Sequence, residues 1–364
     1  MIYKGIFQIC LFLTFLAGNL FSQTFSESAR IEKVFKTRPS TMIDITNKYG
    51  MIHIVPWEKD SVRILIELSV RSSRISRLDK IMNNIAFDFT DTDYYIIAKT
   101  VFGKKYNKLF DELRNLAETF IPGDNVVKID YTVMMPEENE LKITNKFGDV
   151  YIDNHSGDLN LVLSNGDLKA NALNGNVIID LNMGDGVINY IKNGKLNISY
   201  SDLRIKNANE LTLGTRTSKI NIDTVNNLKI HSRRDKYYIE KSTSISGETY
   251  FSDLWVYDLS KDLNLILKYG SLNLEYIHND FSFLNINSNY TDLSLVFERD
   301  AAYQIDIFHK NTGITYPVYL GKLEKKAIDV KEKEFMTYGR MGNRDSSSKV
   351  KIDAIKGTIY IIHK

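Results

Sequence analysis

The sequence predicts an all-β protein: a β-solenoid-like stack of 17–18-residue, two-strand repeats with a short helical insertion in its N-terminal part. Three observations predict it. A turn of Gly, Ser or Asp followed by an apolar alternation recurs from about residue 141 onward. The alternation has a strict period of two, so one face is buried and the other solvated. The spacing between copies is also more constant than the strands of an ordinary antiparallel sandwich would give.

The copies can be read in order. They begin with Phe147-Gly148-Asp149-Val150 and Asn165-Gly166-Asp167-Leu168. Gly184-Asp185-Gly186-Val187 and Tyr200-Ser201-Asp202-Leu203 follow, then Ser218-Lys219-Ile220 and Asp235-Lys236-Tyr237. Phe251-Ser252-Asp253-Leu254, Tyr269-Gly270-Ser271-Leu272 and Tyr290-Thr291-Asp292-Leu293 complete the series. Between them runs a second apolar set, such as Leu159-Leu161-Leu163, Val177-Ile179-Leu181 and Leu263-Leu265-Leu267. One such unit cannot bury its apolar face alone, whereas stacked units enclose a continuous core. Roughly nine rungs about 4.8 Å apart give a rod about 40 Å long. The turn positions assigned structural roles are Gly50, Gly148, Gly166, Gly184 and Gly270.

Three regions organise the chain. Residues 1–22 read as a secretory signal peptide: Lys4 is the basic start, Ile9 to Ala17 the apolar run, and Ser22 the expected cleavage point. The run is shorter than the roughly 20 residues needed to span a bilayer. The only cysteine, Cys10, lies within it, so the remaining chain has no disulfide or thiolate metal site. Residues 23–140 form an N-terminal β region with two helical segments, Arg71–Asn83 and Lys104–Phe120. The second has an amphipathic stripe of Leu109, Leu113, Leu116 and Phe120, suited to capping or flanking the open end of the stack. Residues 141–364 form the repetitive stack, with a polar excursion near 315–343 and closing strands at Val350–Ile352 and Thr358–Ile361.

Asn47-Lys48-Tyr49-Gly50-Met51-Ile52 and Asn145-Lys146-Phe147-Gly148-Asp149-Val150 share one pattern. With Tyr131-Thr132-Val133-Met134-Met135-Pro136 and the repeating Ser/Gly-Asp/Lys-Leu units, they resemble the putative adhesin family of unknown function (DUF4097-like), grouped with toastrack-type β-stacks. The resemblance covers residues from about 40 to 364. It implies the stacked fold, and it supplies turn and core positions rather than catalytic ones. Toastrack relatives are linked to envelope-stress signalling beside transmembrane segments. This chain departs from them in having no apolar run of spanning length beyond its leader.

Charge is nearly balanced, with 47 Lys and Arg against 45 Asp and Glu, so no field of one sign recruits nucleic acid. Arg233-Arg234 and Lys325-Lys326 have acidic neighbours and read as solvated surface. Calcium is the sharpest chemistry on offer, because Asp149, Asp167, Asp202, Asp253 and Asp292 occupy equivalent turns. Lys219, Lys236 and Ser271 break that ladder, and aspartate is a good turn residue in its own right, so no metal and no cofactor is assigned. The six histidines show no ligand spacing, and neither a nucleophile elbow nor a phosphate loop occurs. Acidic residues are plentiful, but nothing marks a two-carboxylate glycosidase pair. Tyr49, Phe147, Tyr200, Phe251, Tyr269 and Tyr290 precede the turns and are expected to cover the end of the core, the alternative being a surface stripe that stacks on sugar rings. The expectation is therefore a non-catalytic, exported, adhesin-like envelope protein, in the periplasm or at the cell surface. Its partner would be an envelope protein or a glycan. The alternative is a periplasmic envelope-stress sensor or accessory protein acting with a membrane partner.

Overall fold

A computed structural model describes residues 24–103 and 126–364. The expected leader at residues 1–22 and the amphipathic stretch Lys104–Phe120 lie outside the described residues. The described chain is nearly all β, and twenty strands hydrogen-bond into one continuous sheet.

The stack is built on parallel, in-register pairing. Strands β2 (Met42–Lys48), β8 (Leu141–Lys146) and β10 (Leu159–Ser164) lie side by side in a first ribbon. Strands β3 (Ile52–Pro56) and β9 (Val150–His155) begin a second. From β11 (Leu168–Asn182) onward the elements are long and bent. The first half of each extends the second ribbon, and the second half joins the first ribbon one rung further along. Strands β12 (Gly186–Ser199), β13 (Asp202–Arg216) and β14 (Lys219–Arg233) repeat this arrangement, and β14 pairs in turn with β15 (Lys236–Ile277). Strands β16 (Phe283–Phe297) and β20 (Lys349–His363) continue the stack to β17 (Tyr303–Thr315).

Register puts like residues on like. Ile45, Ile143, Leu161, Ile179, Leu196, Leu213 and Ile230 follow one another up the first ribbon, all fully buried. Opposite them run Ile54, Ile152, Ala170, Ile188, Ile205, Ile222 and Ile239. The buried aliphatics form one contiguous cluster from Ile43 to Ile361. Each fully buried Leu or Ile contributes about 1.5–3 kcal/mol, and no rung could close such a core alone.

One expected position is corrected. The inward residue of the third copy is Gly186, paired with Leu168 and Leu203, and Val187 points outward at 43% exposure. Glycine shows no apolar side chain in the sequence, so the pattern reads one residue late. Leu203 Cδ1 fills the space, standing 2.7 Å from where a Gly186 Cβ would lie.

Antiparallel strands close both ends. At one end, β1 (Phe25–Lys36) pairs with β4 (Ser61–Ser72), which pairs with β7 (Val126–Met135), and β7 joins β3. Beside them, β5 (Ile85–Asp91) and β6 (Tyr95–Phe102) form a hairpin against β2. Among the described residues one α-helix, α1 (Ile75–Met82), packs on β4 and β1 through buried Leu78. At the other end, the polar 315–343 excursion holds a hairpin of β18 (Gly321–Asp329) and β19 (Glu334–Met341), and β19 pairs with β17. Exposed Lys322, Lys325 and Lys326 lie along β18, a charged edge of the kind that blocks further strand pairing.

Candidate interaction corner of the stack

The corner where the first ribbon turns into the second carries the features that the sequence singles out. Each of its turns places one residue in the left-handed region. Among them are Tyr49, Phe147, Asn165, Met183, Tyr200, Thr217, Arg234, Phe251, Tyr269 and Tyr290, with φ from 52° to 69°. Most are not Gly or Asn, the residues that adopt this conformation at least cost. What they gain is a hydrogen bond. The N–H of Phe147 reaches the Ser164 carbonyl, that of Tyr200 the Arg216 carbonyl, and that of Arg234 the Tyr250 carbonyl. The ladder therefore runs unbroken around the corner.

The next residue must be small. Gly50, Gly148, Gly166 and Gly184 form a single column, each seated on the backbone below it. A Cβ on Gly166 would lie 2.1 Å from the Gly148 carbonyl oxygen, and one on Gly148 equally close to that of Gly50. Gly270 sits in the same way over Ser252 and also has φ of 141°, where an L side chain is strained. Beneath the first turns, buried Asn145 donates through Nδ2 to the Gly50 and Gly148 carbonyls at 2.9 and 2.8 Å.

The aspartate column has a structural use. Asp149 Oδ1 accepts the Asp167 N–H at 2.9 Å, and Asp167 Oδ1 accepts the Asp185 N–H at 2.9 Å. Asp185 Oδ1 accepts the Asp202 N–H at 3.3 Å. Each carboxylate is thus tied to the next rung's backbone. Asp185 belongs to this column, and the one-residue slip at Gly186 concealed it. No group of three or more potential metal ligands occurs among the described residues.

The aromatic residues do not cover the core. Tyr200, Phe251, Tyr269 and Tyr290 are 43–53% exposed, because the left-handed turn swings them off the strand alternation and out from the corner. Three of them pack on one another instead. Phe251 and Tyr269 stack with centroids 4.7 Å apart, and Tyr269 and Tyr290 at 5.2 Å. The Lys356 ammonium lies 4.4 Å from the Tyr290 ring centre, and the Arg216 guanidinium 5.1 Å from that of Tyr200.

Midway along the corner the polarity inverts. Asp235, 2% exposed, occupies the position held by Gly or Ser in the neighbouring rungs. Its Oδ1 accepts the Ser218 N–H at 2.7 Å. Its Oδ2 accepts from Thr215 Oγ1 at 2.6 Å, Ser232 Oγ at 2.7 Å and the Arg233 N–H at 2.8 Å. Tyr237, fully buried beside it, has its hydroxyl pushed well above the usual phenol range by burial. The local sequence does not mark this node, because only Ser232 and Arg233 are near Asp235 in the chain, while Thr215 and Ser218 lie 20 and 17 residues away.

The histidines are scattered. His53, His231 and His278 face Asp153, Glu248 and Asp258 at 3.1, 3.4 and 2.9 Å. Burial holds His155, His309 and His363 below the ordinary imidazole value. At the opposite corner, a shallow groove of about 510 Å³ crosses five rungs between Asn176 and Ser246. Among the described residues, no helix is long and apolar enough to cross a membrane.

No protein-family model matches the chain, and no curated protein matches it. Solved structures do. The chain is similar to a putative cell adhesion protein from Clostridium sporogenes at 11% identity, covering 92% of this chain and 100% of that one, with a TM-score of 0.20. It is similar to a putative lipid binding protein from Parabacteroides distasonis at 10% identity, covering 74% and 93%, with a TM-score of 0.33. It is also similar to a putative adhesin from Bacteroides fragilis at 13% identity, covering 92% and 97%, with a TM-score of 0.26.

Proposed function

We propose that this chain is an exported, non-catalytic, adhesin-like protein of the cell envelope, and that its β-solenoid-like stack of 17–18-residue repeats is its interaction surface. The observation that carries the reading is the corner itself. Register holds exposed side chains of one kind at one-rung spacing, as in the ring column Phe251–Tyr269–Tyr290. Such a surface repeats its chemistry along a line, which suits an extended partner such as an envelope protein or a glycan. Reactive side chains do not converge there, because the carboxylates of the aspartate column already accept backbone N–H groups. The glycine turns at Gly50, Gly148, Gly166, Gly184 and Gly270 act as spacers that let adjacent rungs meet.

Protease shaving of intact cells, with lysed cells as control and blotting for this protein, tests the placement. Loss from intact cells supports a surface adhesive or scaffolding role. Digestion only after lysis places the protein in the periplasm and favours a sensor or accessory role beside a membrane partner. Recovery of the protein solely in the cytosolic fraction would sink both.

A further inference from the structure

We propose that the inverted segment of the corner is a binding site for an acidic polysaccharide, held by Arg216, Lys219, Arg233, Arg234 and Lys236. The inference deepens the envelope-interaction reading and rests on it.

In the sequence, Arg233-Arg234 is followed by an aspartate and looks neutralised. The fold removes that aspartate from the surface, because Asp235 is turned inside and its oxygens are taken by hydroxyls and backbone N–H groups. The five cations remain outside, all exposed. They make no ion pair among the described residues, whereas Arg204 and His231 close by find Asp223 and Glu248.

Register makes the arrangement costly. Arg216 is paired with Arg233, and Lys219 with Lys236, so two like-charged pairs stand directly opposite on adjacent strands. Like charges so placed destabilise a sheet. Asp149, Asp167 and Asp185 compensate by each accepting the next rung's N–H, an option that ammonium groups lack. Asparagine ladders elsewhere on the surface, such as Asn209–Asn226 at 2.8 Å, are self-complementary. Arg216 lies 5.1 Å from the Tyr200 ring centre and Lys219 5.5 Å from that of Tyr238, but no carboxylate pairs with these cations among the described residues, and an anion supplies that partner.

The shape of the field selects a thin polyanion. Asp202 precedes Lys219 in register, and Asp253 donates its backbone N–H to the Asp235 carbonyl on the far side. The Lys219–Lys236 pair is therefore bracketed by acid along the stack axis, while Ser199 and Tyr250 flank Arg216 and Arg233. A bilayer or a DNA duplex laid on the corner would meet those aspartates as well. A single chain crossing the corner along the strand direction meets Arg233, Arg234 and Lys236 in succession and avoids them. Guanidinium groups suit carboxylates in particular, through paired N–H···O bonds.

The test measures binding of the full chain to polygalacturonate, with neutral dextran, duplex DNA and phosphatidylglycerol vesicles alongside. Polygalacturonate is expected to bind best, with affinity falling as salt rises. The Lys219→Gln/Arg233→Gln/Lys236→Gln variant should weaken it about tenfold or more, as removal of several polyanion contacts does. That variant should melt no lower than the wild type, because two like-charge clashes are relieved. A matched control, Lys322→Gln/Lys325→Gln/Lys326→Gln on β18, should bind within about twofold of wild type. The proposal is overturned by absent or salt-insensitive binding, by equal loss in both variants, by a corner variant that fails to fold, or by stronger binding to DNA or vesicles. A protein shaved from the cell surface that ignores polygalacturonate would overturn this inference alone and leave the envelope reading standing.

Discussion

Thr215 Oγ1 donates a 2.6 Å hydrogen bond to Asp235 Oδ2 from one rung below, and both residues are buried. This contact joins two turns through a carboxylate that has no water to fall back on. Asp235→Ala would leave two hydroxyls and two backbone N–H groups without their acceptor. The expected cost is about 3 kcal/mol, against about 1 kcal/mol for Ser232→Ala, both measured by urea denaturation. Equal, negligible losses would show that the node is not structural.

The glycine column sets a second expectation. Gly166→Ala places a Cβ against the Gly148 carbonyl, and backbone cannot rotate away as a side chain can. Destabilisation of about 3 kcal/mol or more is expected in thermal melts. Gly313→Ala is the control, since its nearest neighbour would be Thr358 Cγ2 at 3.8 Å, and it should stay within about 0.5 kcal/mol of wild type.

The ring column invites a double-mutant cycle. Phe251 and Tyr269 lie nearly parallel, at 4°. Phe251→Ala and Tyr269→Ala should show a coupling of about 1 kcal/mol. Strict additivity would mean that the rings merely lie side by side.

His155 gives the pH dependence its sign. The residue is 1% exposed, and burial depresses its imidazole below the ordinary value, outweighing the upward pull of the Asp158 carbonyl and nearby carboxylates. Its folded pKa is lower than its unfolded one, so the unfolded state takes up the proton first. Stability should therefore fall as pH drops below about 6.5, towards the depressed folded value. His309 and His363 act in the same direction. Unfolding free energies of wild type and His155→Gln between pH 7 and 5 check this, and the variant should show the shallower slope.

The edge strand β18 supplies the last expectation. Lys325→Val with Lys326→Val would turn a charged edge into an apolar one, and self-association should rise in light scattering. A variant that stays monomeric would shift the protective role to the rest of the hairpin.

The period-two alternation of Leu159-Leu161-Leu163 and its successors was enough to establish strands, an inward face and the stacking of units. A core of that form needs only residue type and spacing. A residue without Cβ is conspicuous in the sequence, and the corner glycines stand one above another. Other features depended on what lies one rung away. Whether Asp235 faces solvent or the interior, whether Lys219 meets an aspartate or another lysine, and whether Tyr269 covers the core or stacks on Phe251 are questions of register and of the sign of φ at the corner. Tyr, Phe and Arg adopt the left-handed turn because a ladder hydrogen bond compensates them, so residue type does not reveal it. Sequence thus determined the alternation and the turns, while the tertiary structure decided which charges and rings became neighbours, because those neighbours are 17 or more residues apart.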